Sequence, residues 1–480
     1  MPPTQELTAT RVMPPALNAP ALAARHRVAL VVLGLTLLSF LWPSAPTYDP
    51  WAWIVWGREV LHFDLSTVDG PSWKPLPVLF TTPFAAFGGL APDLWLFVAR
   101  AGTIAGVVLV FRVARRLGGL PAGVVAATAY ALAPWTLRNG ALGNSEGLLV
   151  ALALAAVDRG LAGRMRSAWG FAVAAALLRP EAWPFLGVFG LWLAWREPSL
   201  RALVAAGLVA QPLLWLLPEL WGSGDLLRAA HRAHSPNPNS AAFADNPVQA
   251  VLEQFNQMLN PAMWAGLGAL AILAVARRAP GRRELLVAGA MLGAAVVWVL
   301  EVAVMTSDGY SGNARYLILP AAIVCVLAGT AIGWAAPAVA TLVRGRRRTA
   351  ALGVAAAAAA FAAPNVTGIV PTANSLKYQA RLMDGLGKAV HRAGGAKRLL
   401  ACGDPYSGPF QVPAVAWRLR VHTSRVHLNP IRPAVVFRTR TTTRSVPGPP
   451  VDAIGGEPAL TTFAIASGWR IVGVCRGGAA

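Results

Sequence analysis

Residues Thr47 to Pro77 read "TYDPWAWIVWGREVLHFDLSTVDGPSWKPLP" and follow directly on an apolar run from about Val28 to Trp42. The stretch holds the acids Asp49, Glu59, Asp64 and Asp69, four tryptophans and a single lysine, Lys74, closely followed by Pro75 and Pro77. Acids and tryptophans at the end of an apolar run mark the place where a chain leaves the hydrocarbon and meets the membrane surface. Asp49 stands between Tyr48 and Pro50, at the outer end of the first span and the start of an amphipathic helix. An acid there serves either as the helix cap, with Pro50 at the first helical position, or as an ionisable group facing a cavity. Lys74 is read as presented from an extended, proline-stiffened loop, where a cation can neutralise a phosphate or can simply snorkel among interfacial tryptophans.

Working outward, composition fixes the class. Of the 480 residues 55% are hydrophobic and 13% charged, about half the charged fraction of a soluble domain. Apolar windows predict about eleven spans, at 28–43, 93–111, 121–137, 146–157, 168–178, 182–195, 200–217, 262–276, 284–304, 316–334 and 349–363. The fourth, fifth and sixth are short for a crossing and are read as tilted, re-entrant or packed inside the bundle. The first run lacks a small-residue cleavage site and is read as a retained helix. The fold class is thus an α-helical polytopic membrane protein.

The net charge of +21 would suggest nucleic acid in a soluble protein. Here the arginines cluster in every second connection, as with Arg112, Arg115 and Arg116, and again with Arg277, Arg278, Arg282 and Arg283, which is a topology signal rather than a nucleic-acid site. It predicts a cytoplasmic tail at 1–27, a transmembrane domain at 28–363 with extracytoplasmic loops at 43–92 and 218–261, and an extracytoplasmic C-terminal α/β domain at 364–480. In that last region "RLLAC", "AVVFRTRT" and "WRIVGVC" read as strands and 375–393 as a helix. Cys402 and Cys475 would then lie in an oxidising compartment and could pair. The basic tail suits anionic membrane lipids or an acidic envelope polymer, and its composition fits equally a solvated basic surface with no specific ligand.

Two more outer elements carry ionisable groups. "RNGALGNSEG" places Arg138, Asn144 and Glu146 at one outer turn, and "SDGYSGNARYLILP" places Arg315 and Tyr316 at the start of the tenth span. Arginine suits a phosphate because its planar fork donates two hydrogen bonds. His231 and His234 have spacing for a metal but no evident third ligand. No phosphate-cradling glycine loop or zinc-protease motif occurs in the sequence.

The order of the pieces "YDPWAWIVWGREVL", "WKPLPVLF", "FVARAGTIAGVVLVFRVARRLGG" and "ARYLILP" resembles the GT-C superfamily of polytopic glycosyltransferases, in its protein mannosyltransferase and aminoarabinose transferase branch. The resemblance covers most of 28–335 and implies a GT-C-like helix arrangement. It also implies sugar transfer, hexosyl or pentosyl, from a polyprenyl-phosphate donor to a glycan, lipid or protein acceptor on the outer face, with inversion. Asp49 matches the family's catalytic acid, here a general base whose basicity burial would raise. Lys74, Arg315 and Tyr316 match positions that hold the donor phosphate. The family's second carboxylate is missing at Pro50, which leaves Asp69, Glu59 or Glu146 to supply it. Arg138 and the "RPE" turn, Arg179 and Glu181, are further candidates, and a divalent cation is left open. A multi-span lipid or solute transporter and a non-catalytic envelope-assembly protein are the alternatives. Transporters favour paired repeats and short loops, and this chain has neither.

Overall fold

The computed structural model describes residues 19–342 and 347–476. Most of the expected N-terminal tail, and Arg344 and Arg346 of a further arginine-rich connection, lie outside them. The helices run α1 (Ala19–Ser39), α2 (Tyr48–Leu61), α3 (Pro75–Ala85), α4 (Ala91–Ala131), α5 (Pro134–Ala141) and α6 (Glu146–Leu161). Next come α7 (Met165–Ala176), α8 (Trp183–Arg196), α9 (Arg201–Ser223), α10 (Arg228–Ala233), α11 (Pro247–Met258) and α12 (Pro261–Val275). The last long helices are α13 (Arg282–Ser307), α14 (Ile318–Leu342), α15 (Arg347–Val366) and α16 (Ile369–Arg392). Among the described residues four helices are long and apolar enough to cross a membrane, and up to seven if three bent pairs each make one span. The stretches expected as the fifth and sixth spans are helices of 12 and 14 residues, too short to cross upright. The chain is a multi-pass membrane protein.

Two expected spans, 93–111 and 121–137, fall largely within α4, which breaks at Gly118 and Gly119. Gly119 has a φ of +76°, a conformation that costs little only without a Cβ, so the chain turns there and Pro121 restarts the helix. α14 is the central helix: its apolar window is 94% buried, and its small residues let α4 pack close against it. Just before that break, Arg112 and Arg116 close on the buried Asp158 of α6, at 2.9 and 2.7 Å.

The loop between the first two spans is itself structured. α2 buries Trp53 and Trp56 completely, and Trp53 meets Trp95 edge to face at 5.4 Å. Burial of rings this large stabilises by about 1.5–3 kcal/mol each. The prolines of "KPLP" open α3 rather than hold an extended strand: Pro75 takes the first helical position, where its missing N–H costs nothing, and Lys74 becomes the residue just before the helix. Likewise Asp49 is not the cap of α2. The helix starts one residue earlier, with Thr47 outside it.

The C-terminal region adds α17 (Gly395–Cys402), α18 (Val412–Leu419) and the strands β1 (Asp404–Ser407), β2 (Ala434–Thr439), β3 (Thr461–Ala466) and β4 (Trp469–Val474). They form one mixed sheet in the order β1-β2-β4-β3, with β1 parallel to β2 and the remaining pairs antiparallel. "RLLAC", expected as a strand, is the end of α17, because Ala, Lys, Arg and Leu are strong helix formers and Leu399 and Cys402 share one buried face. Cys402 and Cys475 are disulfide-bonded. This region shares a core with the first loop, since Trp51, Trp53 and Trp56 of α2 belong to the same buried cluster as Leu386, Val415 and Phe437. Polar contacts join the two as well: Arg58 donates to the Val421 carbonyl at 2.8 Å, and the Thr423 hydroxyl donates to that of Asp69 at 3.1 Å.

Candidate active site

Between the first loop, the helix ends beside it and the C-terminal sheet lies a cavity of about 1710 Å³. Asp49, Lys74, Arg138, Arg315 and Tyr316 all line it, so residues read from segments up to 266 positions apart share one wall. α2 delivers Asp49 from its first turn, the start of α3 delivers Lys74, and the short 3₁₀ turn Ala314–Leu317 before α14 delivers Arg315 and Tyr316.

The charges are interlocked. Arg315 donates to Asp49 Oδ2 at 2.6 Å and its Nε lies 3.9 Å from Glu146 Oε1. Behind them, fully within the protein, Arg179 donates to Glu146 at 2.5 Å and to Glu181 at 3.3 Å, and its guanidinium sits 4.0 Å from the centre of the Tyr316 ring. Three carboxylates, Asp49, Glu146 and Glu181, are therefore matched by Lys74, Arg179 and Arg315, and the cluster is neutral when Lys74 is charged. Removing any one member leaves an uncompensated buried charge, which costs about 3–5 kcal/mol. The Asp49 Oδ1 oxygen makes no hydrogen bond among the described residues.

Burial pushes the Asp49 carboxyl up, but the Arg315 guanidinium and Lys74 ammonium outweigh it and hold the group below its ordinary value. The expected rise in basicity is absent, because a guanidinium in contact stabilises the carboxylate more than desolvation disfavours it. Lys74 goes the other way. Its buried ammonium has no hydrogen-bond partner and sits 5.1 Å from the centre of the Trp53 ring. Burial, helped by Arg179 and Arg315, brings it down to about 7. The site thus offers an ionised carboxylate beside a buried lysine whose ammonium has no hydrogen-bond partner.

The remaining candidates separate cleanly. Of the three possible second carboxylates, Glu146 joins the cluster. Asp69 lines the cavity wall. Glu59 faces the other side of α2, accepting from the Ser66 backbone N–H at 3.1 Å with His422 at 2.9 Å, and serves the junction with the C-terminal region. The "RPE" residues Arg179 and Glu181 stand at the centre of the charge network. His231 and His234 each face a single acid, Asp225 and Asp308. Among the described residues no three metal-ligating side chains gather, and Asp49 and Glu146 are each engaged by guanidinium groups. Sequence reasoning missed the wall contributed by the C-terminal region, Tyr406, Phe410, His427 and Asn429. It lies in loops and a four-residue strand with no motif to mark it.

No family model matches the chain. No curated protein matches it either. Among solved structures it is similar to ArnT from Cupriavidus metallidurans. The form bound to undecaprenyl phosphate is 16% identical, with a TM-score of 0.58 over 96% of this chain and 99% of that one. The apo form is 16% identical, with a TM-score of 0.59 over 94% and 97%. A looser likeness, TM-score 0.48 at 13% identity over 84% of this chain and 64% of the other, is to an oligosaccharyltransferase from Archaeoglobus fulgidus. The chain has the fold of ArnT along nearly its whole length.

Proposed function

We propose that the chain is a membrane glycosyltransferase that moves a sugar from a polyprenyl-phosphate donor to an envelope acceptor on the extracytoplasmic face. The observation that carries this reading is the buried cluster of Asp49, Glu146, Lys74 and Arg315 at the wall of a large cavity, in a fold whose similar structure holds undecaprenyl phosphate. The orientation follows from the arginine-rich connections, which put the tail 1–27 inside and the 43–92 loop and the 364–480 domain outside.

In this reading the donor phosphate enters beside Lys74 and Arg315 with Tyr316 at its flank, and Lys74 takes up a full charge as the anion arrives. Arg315, shared between the phosphate and Asp49, loosens its hold on the carboxylate. The acceptor hydroxyl oxygen then bonds to the anomeric carbon as the bond from that carbon to the phosphate oxygen breaks. The electron pair leaves on the phosphate, which the two cations stabilise, and the hydroxyl proton passes to Asp49 Oδ1. A carboxylate of low basicity suffices, because the hydroxyl becomes strongly acidic only as its oxygen bonds to carbon. Glu146 acts through the arginines, setting where Arg315 can reach. Attack opposite to the departing phosphate inverts the anomeric centre.

The test compares envelope glycans and lipid-linked sugars in cells with the intact protein, with none, and with Asp49→Asn. Loss of one glycan and accumulation of one lipid-linked sugar in both altered strains, at normal protein abundance, is expected. Three identical profiles would overturn the assignment.

A further inference from the structure

The cavity is larger than a donor headgroup needs. At about 1710 Å³ it exceeds the roughly 300–1,000 Å³ of a site for one small ligand, and part of its lining is chemically distinct from the charge cluster. Asn237, Gln254, Gln257, Asn365 and Asn429 all line it, and among the described residues none of these amides has a side-chain hydrogen bond. Asn365 is buried and Gln254 half-buried, and one atom of each, Nδ2 of Asn365 and Oε1 of Gln254, is enclosed without a partner. An enclosed amide atom needs a partner, a ligand group or a water that a ligand can displace. The five amides come from α11, the loop after α10, the end of α15 and the loop before β2, none of which carries a member of the charge cluster. Tyr406 and the half-exposed Phe410 add aromatic surface to the same cavity.

We infer that this wall is the acceptor subsite and that the acceptor is a glycan of several sugar units. The inference rests on the glycosyltransferase reading and adds the acceptor class. Each side-chain amide offers both donors and acceptors without charge, the complement of a sugar hydroxyl that both gives and takes hydrogen bonds. Aromatic rings offer flat apolar faces to the C–H faces of the sugar rings. A lipid acceptor would call for an apolar channel rather than free amides. A peptide entering by strand addition would need an open sheet edge at the cavity. The outer edge of β1 is closed there, because the Ser407 N–H donates to the His427 carbonyl at 3.0 Å and the His427 N–H to that of Pro405 at 2.9 Å.

The test uses the purified full-length chain in lipid nanodiscs and reads binding by calorimetry and saturation-transfer NMR. The probes are an α-linked mannotetraose, an α-linked arabinofuranosyl tetrasaccharide, a neutral Ser/Thr tetrapeptide and undecaprenyl phosphate. Binding of at least one tetrasaccharide is expected, weakened about tenfold by Gln257→Leu together with Asn429→Leu. Both positions are exposed, so the pair leaves the fold intact, and undecaprenyl phosphate binding is expected to stay at the wild-type level. Undecaprenyl phosphate binding with no tetrasaccharide binding would overturn the glycan acceptor and leave the glycosyltransferase reading standing. Preferred binding of the tetrapeptide, or tetrasaccharide binding indifferent to the double substitution, would overturn it equally. Failure to bind undecaprenyl phosphate as well would remove both readings.

Discussion

At the residue scale the proposed chemistry turns on how Asp49 and Lys74 divide the work. Asp49 is held ionised by Arg315, so acid does not switch it off until pH falls below the ordinary carboxylate range. Lys74 is depressed to about 7, so in the free enzyme it loses its proton as pH rises through neutrality. Since kcat/KM reports groups of the free enzyme, transfer is expected to fall on the alkaline side of about pH 7, approaching tenfold per unit. The donor is a phosphodiester and does not titrate in that window. Lys74→Arg is expected to flatten this limb, because a guanidinium stays charged, and a limb that persists at the same pH in Lys74→Arg would assign it to another group. Asp49 and Lys74 could be singled out in the sequence because each stands in a short motif beside prolines. Their coupling to Arg179 and Glu181 could not, since nothing local to "RPE" says that its turn points at residues more than a hundred positions earlier.

At the element scale, α2 and α3 act as one unit that carries both active groups. Gly57 marks their crossing: a Cβ there would come within 2.5 Å of the Thr81 backbone, which cannot yield as a flexible side chain could. Gly57→Ala is expected to push α3, and with it Lys74, away from Asp49. A cost of about 1–3 kcal/mol should show as a lower unfolding temperature, with a larger loss of transfer than of folded protein. Wild-type activity and melting in this variant would mean that the crossing does not position the site. The helices themselves were legible from apolar runs and proline placement. "RLLAC" was not, because a five-residue apolar run fits a strand or a helix equally well, and only its packing beneath the sheet decides.

On the scale of the whole molecule, the first loop and the C-terminal sheet share one core, so the cavity has walls from both ends of the chain. Sequence alone assigned the tail a separate α/β domain but gave no sign that Trp417 packs 6.5 Å from Trp51 or that loops of the sheet close the site, since such contacts join segments more than 300 residues apart. The proposed topology puts the cavity on the extracytoplasmic side. A membrane-impermeant maleimide is expected to label Thr443→Cys in intact cells and Arg282→Cys only after permeabilisation. The wild-type cysteines are either disulfide-bonded or buried and give a low background. The opposite labelling pattern would invert the proposed topology.

The most direct test of the central claim, that the Asp49 cluster performs sugar transfer, is made on purified wild type and Asp49→Asn in nanodiscs, supplied with lipid-linked sugars and envelope glycan from cells lacking the protein. Wild type should form the missing glycan. Asp49→Asn should bind undecaprenyl phosphate but transfer about 10²–10⁴-fold more slowly, the usual contribution of a general base. Equal transfer rates in the two proteins would contradict the account.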